Sequence, residues 1–125
     1  MKRILLIDDD YPTNYYNEKM LKKVLENPVV IKMENAEEAL TFLINEKEEK
    51  IDYIFLDINM PEMNGWEFLE SYKKVPDSKK ADTLIIMLTT SLNPHDRKKA
   101  EQDPLINDFL TKPLNKEKIE KIIST

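Results

Sequence analysis

A chain of 125 residues with 41% hydrophobic content is the size of one ordinary domain, 1–125, with apolar material for a real core and no room for a second, output domain. Its formal charge of −5 and pI near 5.0 come with lysines scattered among glutamates, so no basic stripe for nucleic acid is expected. The absence of cysteine excludes disulfide frameworks, thiolate catalysis and cysteine zinc sites, and suits a reducing compartment such as the cytoplasm.

The opening Met1-Lys2-Arg3-Ile4-Leu5-Leu6-Ile7 has the charged start of a signal peptide, but its apolar run is short and ends in Asp8-Asp9-Asp10. It reads as a first strand. No stretch is long enough to insert across a bilayer. A helix is predicted from about Pro12, with Tyr16, Met20, Leu21, Val24 and Leu25 on one face, and Asn27-Pro28 stops it. A short strand over 29–33 follows, and Asn35 caps a second helix whose apolar face is Ala36, Ala39, Leu40, Leu43 and Ile44.

The third strand, Tyr53-Ile54-Phe55-Leu56, closes on Asp57 and opens into the turn-rich Ile58-Asn59-Met60-Pro61-Glu62-Met63-Asn64-Gly65. After Gly65 a helix presents Trp66, Leu69 and Tyr72; residues 76–80 read as a polar connection, and 83–88 as the fourth strand. Asn93-Pro94 opens a fourth helix over 94–102 with little apolar surface beyond Ala100, so it should pack weakly. A fifth strand over 106–110 precedes Lys112-Pro113, and a last helix buries Ile119, Ile122 and Ile123. Five strands alternate with five helices, and the third and fourth strands are near-continuous apolar runs, as strands covered on both faces are. The fold class is a doubly wound α/β sheet.

In such a sheet the carboxyl ends of parallel strands share one edge. Asp8, Asp9 and Asp10 follow the first strand, Asp57 the third, Thr89 the fourth and Lys112 the fifth, so these groups converge. Two carboxylates about 4 Å apart repel by roughly 4 kcal/mol at an effective dielectric of 20. Protonation offsets this, and a hard divalent cation such as Mg²⁺ does so better, because it accepts one or two carboxylates and keeps several waters. A carboxylate beside Mg²⁺ and a lysine is also a nucleophile toward a phosphoryl group, whose transfer needs positioning and charge neutralisation. Each residue alone has a blander reading: a capping cluster for Asp8 to Asp10, a turn former for Asp57, a surface lysine for Lys112 and a β-branched strand residue for Thr89. His95 reads as a solvated helix-start residue, and a sole glycine, Gly65, excludes a glycine-rich phosphate cradle.

The combination of Asp8-Asp9, Asp57 in Asp-x-x-Met-Pro-x-Met-x-Gly, Thr89 and Lys112-Pro113 resembles the receiver domain of two-component response regulators, of the stand-alone chemotaxis type, from Lys2 onward. The resemblance implies a flavodoxin-like five-stranded sheet of order 2-1-3-4-5. It implies Asp57 as phosphoacceptor, with Mg²⁺ held by Asp8, Asp9, Asp57 and the Asn59 carbonyl. It gives Lys112 a phosphoryl contact and Pro113 a cis peptide bond, and makes Thr89 and Phe109 a switch pair acting on the face of the fourth helix, fifth strand and fifth helix. The implied partners are a sensor histidine kinase or histidine phosphotransfer protein as donor and a downstream protein target. Self-phosphotransfer and autodephosphorylation at Asp57 are expected, with no turnover of an external substrate. Phe109 stands where many members carry tyrosine, Thr90 where alanine or glycine is common, and Asn59 and Ser91 at positions that flank the phosphate site in that family.

Two other classes compete. A phosphorylation-independent binding module would keep the fold without the switch, yet the acidic, hydroxyl and lysine groups are all present. A haloacid-dehalogenase-type phosphatase would carry Asp-x-Asp-x-Thr after the first strand, where Asp8-Asp9-Asp10-Tyr11-Pro12 has proline in place of threonine.

Overall fold

The computed structural model describes residues 2–45, 50–80, 83–90 and 93–123. Its strands are β1 (Arg3–Ile7), β2 (Val29–Met33), β3 (Tyr53–Asp57), β4 (Leu84–Thr89) and β5 (Asp108–Thr111). They pair in parallel in the order β2-β1-β3-β4-β5, and Ile4 lies beside Val30 on one side and Tyr53 on the other. The helices are α1 (Tyr11–Val24), α2 (Ala36–Asn45), α3 (Gly65–Tyr72), α4 (Pro94–Gln102) and α5 (Lys116–Ile123), with one further helical turn at Asp77–Lys80.

Because strand side chains alternate, each strand feeds two cores. Leu5, Ile7, Ile54, Leu56, Ile85 and Met87 pack with α2 and α3 through Ala39, Leu43, Phe68 and Leu69. Ile4, Leu6, Tyr53, Phe55, Ile86 and Leu88 pack with α1 and α5 through Leu21, Ile119 and Ile122. The central strands are therefore apolar on both faces, and all five residues of β3, including Asp57, are buried.

Local chemistry sets the helix starts. Asp10 caps α1 by accepting from Thr13 N at 3.2 Å, and Asn35 accepts from Glu38 N at 2.7 Å. At α3, Asn64 Oδ1 accepts from Glu67 N while Glu67 Oε1 accepts from Asn64 N, a reciprocal capping box that holds the end of the loop after Asp57. Among the α4 residues only Ala100 is buried, in keeping with its charged sequence.

Several expectations from pattern alone are corrected. The β5 ladder begins at Asp108, because Asn107 pairs by a different route: its side-chain Oδ1 accepts from Ile85 N and its own N–H donates to Ile85 O, both at 2.8 Å. Strand β4, Leu84–Thr89, lies within a residue of the expected span, and the Thr83 hydroxyl just before it donates to Ile51 O. Tyr16 and Ile44 were expected on apolar faces but are 44% and 51% exposed. Leu21 is buried and Met20, Val24 and Leu25 pack against the core as expected, and the fully buried row of α1 also takes in Asn14 and Asn17. Residues 77–80 form a turn of helix rather than a plain connection. Among the described residues, no helix is long and apolar enough to cross a membrane.

Candidate functional site

Strands β1, β3, β4 and β5 end side by side, and their last or next residues supply the site. One carboxylate oxygen from each of Asp8, Asp9 and Asp57 lies within 4.8 Å of the others. Asp8 and Asp57 are buried at 3% and 4% exposure, while Asp9 is exposed, so the cluster opens to solvent on one side. Lys112 Nζ reaches between them, 3.0 Å from Asp57 Oδ1 and 2.6 Å from Asp8 Oδ2.

The Asp8 contact is ionic in character. Asp8 Oδ2 is buried against the Lys112 ammonium, and Asp8 Oδ1 accepts from Asp10 N at 2.9 Å. Three carboxylates facing one ammonium leave a net negative, all-oxygen donor set, which fits a hard divalent cation. Burial pushes the Asp57 carboxyl up from an ordinary 3.8 to about 6; the Lys112 hydrogen bond opposes the rise, and the charges of Asp8 and Asp9 add to it. For Lys112, burial works against the ammonium, but the carboxylates of Asp8 and Asp57 outweigh it and hold the pKa above the ordinary 10.5.

The loops that carry these groups are pinned by main-chain bonds. Asp8 N donates to Met33 O at 3.1 Å, and Lys112 N donates to Thr89 O at 2.7 Å. The Lys112–Pro113 peptide bond is cis. Asn59 is exposed just past Asp57, between buried Ile58 and Met60, where Ile58 N donates to Leu88 O and Gly65 N returns to Ile58 O at 2.8 Å. Gly65 allows that return because a Cβ there would stand 2.6 Å from Asp57 O and 3.0 Å from Ile58 Cα.

A model of the response regulator receiver domain matches residues 4–124. The chain belongs to the response regulator receiver family. Over 99% of its length it is 30% identical to the protein PilH of Pseudomonas aeruginosa, of which the match covers 96%. A response regulator receiver protein from Dyadobacter fermentans superposes with a TM-score of 0.90 at 26% identity, covering 99% of this chain and 96% of that one. The chemotaxis response regulator CheY4 of Vibrio cholerae does so with a TM-score of 0.79 at 27% identity, covering 99% and 97%. The receiver fold and its place in two-component signalling are thereby shown.

In this receiver Thr89 is buried at the end of β4, and Phe109 is half-buried in β5 against the core on the α2 and α3 side. Beside the Phe109 ring, α4 and β5 leave a cleft of about 340 Å³ lined by Arg97, Ala100, Glu101 and Ile106. A second open cleft, of about 390 Å³, is lined by Pro12, Thr13, Tyr16, Thr90, Lys112 and Pro113. Thr90 thus stands at the rim of the site, and Ser91 lies outside the described residues. His95 is exposed at the start of α4, where its N–H donates to Asn93 Oδ1.

Sequence reasoning missed Asn14 and Asn17, both 1% exposed and bonded to the loops of the site. The signal was present: residues 14, 17 and 21 share a helix face, so two asparagines lie in phase with a core leucine.

Proposed function

We propose that this receiver accepts a phosphoryl group on Asp57 from a phosphohistidine donor and signals by changing the surface formed by α4, β5 and α5. The observation that carries the reading is the convergence of Asp8, Asp9, Asp57 and Lys112 on one sheet edge, with Lys112 Nζ 3.0 Å from Asp57 Oδ1. An Asp57 carboxylate oxygen forms the new bond to phosphorus as the donor's P–N bond breaks, and the electron pair leaves with the imidazole nitrogen. Lys112, tethered through Thr89 O, holds positive charge where the phosphoryl oxygens arrive. Asp8, Asp9, Asp57 and the Asn59 carbonyl would hold Mg²⁺, which when bound neutralises charge on the carboxylates and the incoming phosphoryl group.

The cleft lined by Tyr16, Thr90 and Lys112 gives the donor a route to the site. That donor is a sensor histidine kinase or a histidine phosphotransfer protein in the cytoplasm. Once phosphate is attached, the Thr89 hydroxyl turns toward it and Phe109 follows inward, moving from beside the cleft it shares with α4. The charged α4, held to the core by Ala100, shifts with little packing lost. Phosphate thereby biases two pre-existing arrangements, and a few kcal/mol of differential interaction moves the population. A downstream protein target reads the result.

Intact mass after incubation with acetyl phosphate tests the acceptor. One added phosphoryl group is expected with Mg²⁺, and none in the Asp57→Asn variant or with chelator. Equal addition to Asp57→Asn would remove Asp57 from the reaction.

A further inference from the structure

Helix α1 touches both loops of the site through buried amides. Asn14 Nδ2 donates to Asp8 O at 3.0 Å and to Met33 O at 3.2 Å, so one side chain ties the acidic loop to the end of β2. One turn later, Asn17 Oδ1 accepts from Leu114 N at 3.3 Å, just past the cis Lys112–Pro113 bond. The two asparagines share one face of a single rigid helix, and the groups they hold belong to the two loops whose side chains meet as Asp8 and Lys112 at 2.6 Å.

Core packing does not call for these amides. Both acceptors of Asn14 are carbonyl oxygens, which fixes its NH₂ toward them and leaves Oδ1 buried with no hydrogen-bond partner. A buried oxygen without a partner costs on the order of 1–3 kcal/mol, a cost that leucine of similar size would avoid. The amide therefore serves the loops. Asn17 likewise lies in line with Leu21, against the core that contains Leu114.

We propose that Asn14 and Asn17 are positioning residues that make α1 a strut between the acidic loop and the Lys112 loop. This rests on the phosphoacceptor reading for its rate consequence, but its consequence for cation binding is independent of it. Asn14 fixes the main chain of Asp8, so its loss lets that carboxylate drift; partners that orient a metal ligand in this way carry on the order of tenfold in affinity. Asn17 fixes the main chain two residues beyond Lys112, so its loss misplaces the ammonium and leaves the carboxylates where they are.

The test compares wild type, Asn14→Leu, Asn17→Leu and Asn17→Asp in three measurements: unfolding midpoint, Mg²⁺ affinity by calorimetry, and initial rate of phosphoryl incorporation from acetyl phosphate at saturating Mg²⁺. Asn14→Leu is expected to remain folded and to bind Mg²⁺ on the order of tenfold more weakly. Asn17→Leu is expected to keep its Mg²⁺ affinity and lose about tenfold in rate. Asn17→Asp retains an acceptor for Leu114 N, so it recovers rate relative to Asn17→Leu despite the lower stability that a buried carboxylate brings. Asn14→Ala and Asn17→Ala take the place of a leucine variant that fails to fold. Wild-type affinity in folded Asn14→Leu together with wild-type rate in folded Asn17→Leu would overturn the strut, as would losses that only track the unfolding midpoint. If the wild type itself takes up no phosphoryl group, the phosphoacceptor reading fails, and the Mg²⁺ affinity of Asn14→Leu alone decides the strut.

Discussion

At neutral pH and without metal, Asp57→Asn is expected to unfold at a higher denaturant concentration than the wild type, although it removes a partner of Lys112. Asp57 is 4% exposed, and its carboxyl is raised from 3.8 to about 6. The folded state therefore binds that proton more readily than the unfolded state does. By linkage the stability of the wild type falls as pH rises from about 3.8 through about 6, and levels off above. A shift of about two pKa units corresponds to about 3 kcal/mol of penalty once the group is ionised in both states. The asparagine amide resembles the protonated acid and never incurs that penalty, and Lys112 retains Asp8 as its counter-charge. Urea unfolding of both proteins in chelator is expected to show the variant more stable by on the order of 2–3 kcal/mol at neutral pH, with the gap closing as pH drops below 6. Added Mg²⁺ should narrow the gap from the other side, since a ligand of the native wild type stabilises it by mass action. A variant less stable than wild type at neutral pH would show that the Lys112 pair outweighs the burial and crowding of the carboxylates.

Gly65→Ala is the second large effect. No glycine among the described residues has a positive φ, so what demands glycine here is space. A Cβ at residue 65 meets Asp57 O at 2.6 Å, Ile58 Cα at 3.0 Å and Met87 Cε at 3.1 Å. The methionine end can swing away, but the first two atoms are main chain and belong to Asp57 and its neighbour. Relief requires moving α3 off the sheet, which breaks the Gly65 N to Ile58 O bond, or moving Asp57 itself. Overpacking of this kind costs about 1–3 kcal/mol, and the lost hydrogen bond adds about 1 kcal/mol. The expected result is a protein destabilised by about 2–4 kcal/mol in urea that also incorporates phosphoryl groups at least about tenfold more slowly, because a misplaced nucleophile loses its alignment. Wild-type stability and rate would mean that the loop yields without disturbing Asp57.

Much of this molecule was legible in its sequence because the decisive signals are short-range. The apolar runs ending at Ile7, Leu56 and Leu88 are covered on both faces, so composition alone marks them as central strands, and the polar residue after each run marks the edge where chemistry gathers. Asn35 and Asn93 announce helices through the backbone N–H groups they satisfy. What eluded pattern reading came from long-range partners. Asn107 looks like a strand residue until its side chain is seen to pair with Ile85, and Asn14 and Asn17 look like solvent-facing polar residues until Asp8, Met33 and Leu114 arrive from elsewhere in the chain. Tyr16 looks like core and instead borders a cleft beside Lys112. Apolar periodicity reads burial from residue type, so it fails where a polar group is buried because it is bonded or an aromatic ring is left at an open site.

The central claim is that Asp57 itself becomes the acyl phosphate, and reductive trapping tests it residue by residue. Borohydride reduces an acyl phosphate to the alcohol, so a phosphorylated aspartate becomes homoserine, while free carboxylates and phosphate esters are untouched. The protein is incubated with a phosphohistidine donor and Mg²⁺, reduced, digested and mapped by peptide mass. Homoserine at position 57, and at no other aspartate, is the predicted result; homoserine at Asp8 or Asp9, or retained phosphate with no homoserine anywhere, would contradict it.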